Sequence, residues 1–206
     1  QCHFGLDTIS LGRLGANVTG VDFSDKAILL ARDISQKSNI KSTFICCNLY
    51  DLPNHLNHKF DVVYTSYGTI GWLPDIDNWA SIISRFLKPN GKFVFVEFHP
   101  VLWMFDNKFD RIEYKYSNSK AILEFENGTY ANQDADLHHE SVTWNYGVGE
   151  VMNSLIKTGI NIKSIKEYDY SPYDCFNGTE EFEKGIYRIK KFGNKIPMVY
   201  SIVGKK

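Results

Sequence analysis

Two residues near the start of the chain could hold a nucleoside between them. Gly5 lies in a tight loop that leads into a short helix, Asp7 to Leu14, and Asp22 follows the strand Asn17 to Val21. In an open α/β sheet, ligands sit beyond the carboxyl ends of the strands, where loop amides meet the residue that ends the next strand. A carboxylate there can accept hydrogen bonds from both hydroxyls of a ribose. The spacing therefore predicts a nucleoside-containing cofactor between the Gly5 loop and Asp22. Side chains able to move a proton come later: Tyr67 and His99 after predicted strands, and the pair His138 and His139 in an irregular stretch. That pair lacks the partners of a zinc site, so no metal is expected, and the two are read as a solvated loop. The cysteines, Cys2, Cys46, Cys47 and Cys175, match neither a zinc spacing nor a disulfide framework. Cys46 and Cys47 stand in an apolar run and are expected to be buried, reduced thiols, which suits a cytoplasmic protein.

The elements that must position these residues follow from periodicity. Ser24 is a good N-cap for a helix whose Ala27, Leu30, Ala31 and Ile34 share one face. A strand from Ser42 to Cys47 leads to the turn Asn48-Leu49-Tyr50-Asp51-Leu52-Pro53, and a third strand covers Phe60 to Thr65. From about Asp77 a helix carries Trp79, Ile82, Ile83, Phe86 and Leu87 as a core stripe. Lys88 to Gly91 reads as a turn into the strand Lys92 to Phe98, whose run of apolar residues suggests burial on both faces. Alternating strand and helix is the pattern of a parallel sheet with right-handed crossovers.

From His99 to about Ser141 the alternation stops. An aromatic-rich insertion holds Trp103, Phe105, Phe109, Tyr114, Tyr116 and Tyr130, with a hairpin predicted around Asn127-Gly128, from Ala121 to Asn132. Its aromatics suit either a lid or a small satellite core. A helix with Val148, Val151, Met152, Leu155 and Ile156 on one face follows, then a strand from Asn161 to Tyr168. Residues 171–195 read as irregular, with the acidic run Glu180 to Glu183 as a solvated helix face, before a last strand from Met198 to Val203. The chain thus reads as a single domain over 1–206, with the insertion at about 99–141.

Composition narrows the partners. Of 206 residues 43% are hydrophobic and 15% aromatic, enough for a substantial core, and the formal net charge is −1. Nucleic-acid binding needs a concentrated basic footprint, so that class is set aside. No apolar run approaches the length of a membrane span. The oligomeric state is left open.

The order of these landmarks resembles a class I S-adenosylmethionine-dependent methyltransferase, over nearly the whole chain. The resemblance rests on Gln1-Cys2-His3-Phe4-Gly5, Val18 to Ser24, Asn48 to Pro53, Phe60 to Tyr64 and Leu87 to Phe93. With the stretch from Thr65 to Ala80 and Glu97-Phe98-His99-Pro100, the chain is similar to a group of small bacterial methyltransferases, mostly uncharacterised. It implies a Rossmann-like α/β fold, mostly parallel, whose last strand is antiparallel and inserted between its neighbours. A strand ahead of Gln1, between those ending at Asp22 and Thr65, is expected and is missing here. The implied cofactor is S-adenosylmethionine. Gln1 and Gly5 would approach its methionine end, Asp22 the ribose hydroxyls, Phe23 the adenine face, Asn48 and the Leu49 amide the adenine edge, and Thr65 and Ser66 the methionyl end. Gln1 and His3 stand where the family has Gly, and Asn48 where it usually has Asp. Methyl transfer to a small-molecule acceptor by in-line displacement is expected, with Tyr67 and His99 as candidate catalytic residues. The rivals are a non-catalytic binding module with the same fold and an NAD-dependent oxidoreductase; the latter wants G-x-G-x-x-G, of which only Gly5 is present.

Overall fold

The computed structural model describes residues 1–127 and 138–206. Its first half alternates as expected. Helix α1 (Leu6–Arg13) leads to strand β1 (Val18–Asp22), helix α2 (Asp25–Lys37) and strand β2 (Ser42–Cys46). A short helix α3 (Leu52–His55) precedes β3 (Phe60–Ser66), then α4 (Ile76–Phe86) and β4 (Leu87–Phe98). Ser24 caps α2, its hydroxyl accepting from the Ala27 amide at 3.2 Å, and Asp75 caps α4 by accepting from the Asn78 amide at 2.9 Å. The buried face of α2 is Ala27, Ile28, Ala31 and Ser35. Ile28 thus replaces Leu30, which is exposed, because the helix packs one position away from the predicted stripe.

The second half holds the hairpin β5 (Asn118–Asn127) and β6 (His138–Asn145), helix α5 (Val148–Lys157), and β7 (Asn161–Tyr168). Strands β8 (Thr179–Glu183), β9 (Ile186–Ile189) and β10 (Val199–Lys205) end the chain. The turn predicted at Asn127-Gly128, its following strand and Tyr130 fall on or within residues 128–137, outside the described residues. Four expectations are corrected. His138 and His139 belong to the backbone of β6 and not to a loop. Glu180 to Glu183 forms a strand paired with β9, because the hairpin ladder recruits a segment whose charges face solvent on both sides. Residues 88–91 continue β4: Leu87 pairs with Phe60 before the register shifts, and the Asn90 amide donates to the Lys206 carbonyl at 3.0 Å. Cys46 is exposed and Cys47 half-buried, because they stand at the carboxyl end of an outer strand.

The main sheet has the order β3-β4-β10-β7. β3 and β4 run parallel, and β10 lies antiparallel between β4 and β7, as the expected inserted last strand. β1 and β2 form a separate parallel ladder, and among the described residues β1 pairs only with β2 and β3 only with β4. The core lies between the main sheet and helices α4 and α5. Trp79, Phe93, Phe95, Leu155, Tyr200 and Ile202 are all buried there, with the Trp79 ring 5.4 Å from that of Phe95 and 5.8 Å from that of Phe93. A satellite core of Phe98, Leu102, Phe109, Ile189 and Met198 joins the insertion to β9 and β10, with Phe105 and Phe192 packed on it. This places the insertion's Phe105 and Phe109 in packing.

Candidate functional site

The loop ahead of α1 ties the end of β1 to the corner after β3. The Cys2 amide donates to the Val21 carbonyl at 2.8 Å, while the Gln1 Nε2 donates to the Thr69 carbonyl at 2.6 Å. Inside the loop the Gly5 amide donates to the Cys2 carbonyl at 2.8 Å. Gly5 takes φ 71, the left-handed region, and a Cβ there would stand 2.6 Å from Phe44 Cε1. Both facts demand glycine. Gly20 in β1 is required by packing alone, since a Cβ would meet Phe44 at 2.8 Å and the Cys2 sulfur at 2.9 Å. Burial pushes the Cys2 thiol up to about 11, so it stays protonated in this packed position.

Asp22 closes the loop from the other side. Its Oδ2 accepts from the His3 amide at 2.8 Å and its Oδ1 from the Ser24 amide at 3.0 Å. Each oxygen keeps lone-pair capacity for a further donor. The next residue, Phe23, is 77% exposed, which leaves its ring open to solvent. Asn48 follows β2, and its Oδ1 accepts from the Tyr50 amide at 2.9 Å, which orients the side-chain amide at the strand end. Leu49 packs partly into the core.

At the end of β3, Thr65 is buried and Ser66 half-buried. The Ser66 hydroxyl donates to Asp7 Oδ2 at 3.1 Å, and the Tyr64 hydroxyl approaches the same oxygen at 3.4 Å. Asp7 thereby joins the first turn of α1 to β3. Tyr67 and Gly68 then take φ 38 and φ 72, and the chain turns over the end of β4. The Tyr67 amide donates to the Val96 carbonyl at 2.7 Å. Burial pushes the Tyr67 hydroxyl up to about 12, so it remains a phenol at neutral pH. Its ring lies 5.7 Å from those of Phe98 and Tyr173, and Trp103 and Phe176 extend the aromatic wall, at 6.1 and 4.9 Å from Phe98.

The corner after β3 rests on Glu97, which is 2% exposed. Its carboxylate accepts from the amides of Thr69 at 2.7 Å, Ile70 at 3.2 Å and Phe98 at 2.7 Å, from the Thr69 hydroxyl at 3.1 Å, and from the Gly68 amide. Burial raises its pKa, and the amide hydrogen bonds partly counter that rise. Sequence reasoning missed Glu97 as a functional residue. The available signal was a carboxylate at the end of an otherwise apolar, doubly buried strand, a position where a charge must find donors. Asp7 was missed too, being read only as a helix start.

His99 faces β7 and β10. Its amide donates to the Met198 carbonyl at 2.9 Å, and its Nε2 lies 2.9 Å from Glu167 Oε1. The Val101 amide donates to Nδ1 at 3.2 Å, which assigns the ring proton to Nε2, donated to Glu167. Burial lowers the His99 pKa, opposed by Glu167. Both ring nitrogens are thus engaged. The structure brings Gln1, Gly5 and Asp22 together in the loop, links that loop through Asp7 and Thr69 to the end of β3, and places His99 on the opposite flank of β4. Among the described residues no cluster of three or more His, Cys, Asp or Glu side chains could hold a metal ion.

Residues 1–95 match a family model described as a methyltransferase domain. An uncharacterized methyltransferase from Synechocystis sp. is 35% identical over 107 residues, covering 50% of this chain and 48% of that protein. A ubiquinone biosynthesis O-methyltransferase from Xanthomonas oryzae pv. oryzae is 31% identical over 91 residues, covering 44% of this chain and 38% of that protein. The chain spans about half the length, or less, of these curated relatives. Among solved structures, an S-adenosylmethionine-dependent methyltransferase from Methanosarcina mazei superposes with a TM-score of 0.68 at 16% identity, covering 100% of this chain and 89% of that one. Residues 1–95 thus have the sequence of a methyltransferase domain, and the chain as a whole has the fold seen in S-adenosylmethionine-dependent methyltransferases.

Proposed function

We propose that the chain binds S-adenosylmethionine between the Gly5 loop and Asp22 and transfers its methyl group to a small-molecule acceptor by in-line displacement. The observation that carries this reading is Asp22: a carboxylate at a strand end, tied to the loop through the His3 amide, with spare lone pairs and followed by the exposed ring of Phe23. The residues present fit the cofactor. Asp22 would hold the ribose hydroxyls, the Phe23 ring would cover the adenine, and Asn48 and the Leu49 amide would read its edge. Gln1, Gly5, Thr65 and Ser66 would hold the methionine end. When bound, the cofactor supplies a methyl group on a cationic sulfur, which the ring faces of the aromatic wall would attract.

The chain's part is then to hold two reactants at near-attack distance and keep water out. Tyr67 lines the acceptor side as a neutral phenol, since a hydroxyl pushed up to about 12 keeps its proton. His99, with both nitrogens engaged, positions the flank of β4 against β7. With neither residue free to take a proton, the acceptor attacks through a lone pair, and any proton on the attacking atom leaves to solvent as the methyl–sulfur bond breaks. The similarity to the Xanthomonas O-methyltransferase of ubiquinone biosynthesis supports a small-molecule acceptor. Calorimetric titration with S-adenosylmethionine, its demethylated product and NAD tests the proposal. Saturable binding of the first two and none of NAD is expected; binding of NAD alone would overturn it.

A further inference from the structure

We propose that Glu97 is a positioning residue that sets both sides of the site at once. Its charge holds the corner 67–70, which carries Tyr67 toward the acceptor wall and, through the Thr69 carbonyl, holds Gln1 of the donor loop. The inference rests on the methyl-transfer reading for what the two sides do, and on geometry alone for the coupling between them.

Consecutive left-handed residues, Tyr67 at φ 38 and Gly68 at φ 72, turn the amides of residues 68–70 toward one point. Such a nest of N–H groups is an anion-binding concavity. Here the anion is the chain's own: Glu97 fills the nest and takes the Thr69 hydroxyl and the Phe98 amide as well. Among the described residues no cation pairs with it, so the charge is compensated wholly by oriented donors. A buried carboxylate in such a setting is costly unless every donor is in place. Conversely, without the carboxylate three amides would converge on nothing, and the left-handed tyrosine would lose its support. The corner's outward bond is the one from Gln1 Nε2 to the Thr69 carbonyl, at 2.6 Å. Thr69 therefore faces Glu97 with its amide and hydroxyl and the donor loop with its carbonyl.

Glu97→Gln separates charge from shape. Oε1 receives the Gly68 and Phe98 amides, and Oε2 receives the Thr69 amide and hydroxyl and the Ile70 amide. Whichever way the glutamine amide is turned, its NH2 meets at least one pair of N–H donors, so the isostere cannot substitute. The test is hydrogen exchange on the unliganded full chain, with calorimetric titration of S-adenosylhomocysteine alongside. In the variant, exchange at residues 68–70 is expected to rise about tenfold or more, the scale of a lost hydrogen bond to a charged group. The rise should spread to residues 2–5 while α5 stays protected, and affinity for S-adenosylhomocysteine should fall by a similar factor. Thr69→Val, which deletes one donor and keeps the size, should show the same pattern more weakly, and it decides the matter if Glu97→Gln does not fold. Increased exchange at 68–70 with residues 2–5 unmoved would overturn the coupling. If the wild type itself binds no S-adenosylhomocysteine, the methyl-transfer reading falls, and the spread of exchange from corner to loop still judges the coupling.

Discussion

Asp22 and Glu97 show two uses of a carboxylate at a strand end. Asp22 is only partly enclosed and keeps acceptor capacity; Glu97 is enclosed and spends its capacity on the corner's own donors. His99 is a third case, a buried neutral ring. Because burial lowers its pKa below the usual value near 6.5, the unfolded chain binds the proton more readily than the folded one. Its contribution to stability is therefore fully present above about 6.5 and is lost as pH falls through that value toward the lowered folded one. Urea midpoints measured between pH 7.5 and 5 should fall for the wild type and fall less for His99→Gln. Equal slopes in the two proteins would remove the histidine from this account. At this scale the sequence showed Asp22 and Gly5, because a strand end and a loop glycine have recognisable neighbours. It hid Glu97 and the engagement of His99, because their partners are amides and a carboxylate far along the chain.

Among the elements, the insertion is the one whose role periodicity left open. Its hairpin is joined to the core at its base: Asn145 donates to the carbonyls of Pro100 and Lys115 at 3.1 and 3.2 Å, and the Tyr146 hydroxyl to the Leu73 carbonyl at 2.6 Å. Leu73 follows the corner that Glu97 supports, so the insertion and the aromatic wall share a foundation. Tyr146→Phe would leave that carbonyl without its partner and is expected to cost about 1–3 kcal/mol. Chemical denaturation measures it; a loss below a few tenths would mean the insertion is not fastened there. Helix and strand cores were legible because stripes such as Trp79, Ile82, Ile83 and Phe86 have only one periodicity. The hairpin of β8 and β9 was not, since its charges on both faces erase the alternation that marks a half-buried strand.

Across the whole molecule, the sheet is divided. A four-stranded part carries the core, and a two-stranded part, β1 and β2, carries Asp22, Phe23 and Asn48 at or just beyond its strand ends. Between the described strands of the two parts no ladder runs, and the loop 1–5 links them through Val21 and Thr69. The overall architecture was legible, including the antiparallel strand between β4 and β7, because the order of landmarks resembles that of a known family. If donor binding depends on the two-stranded part, one substitution there decides the account. Titrating S-adenosylmethionine into the wild type and into Asp22→Ala is the most direct measurement. With hydrogen bonds to a charged group contributing about 1.5–3 kcal/mol, the variant's affinity should drop roughly tenfold or more while its melting behaviour stays close to wild type. Equal affinity in the two proteins would contradict the central claim.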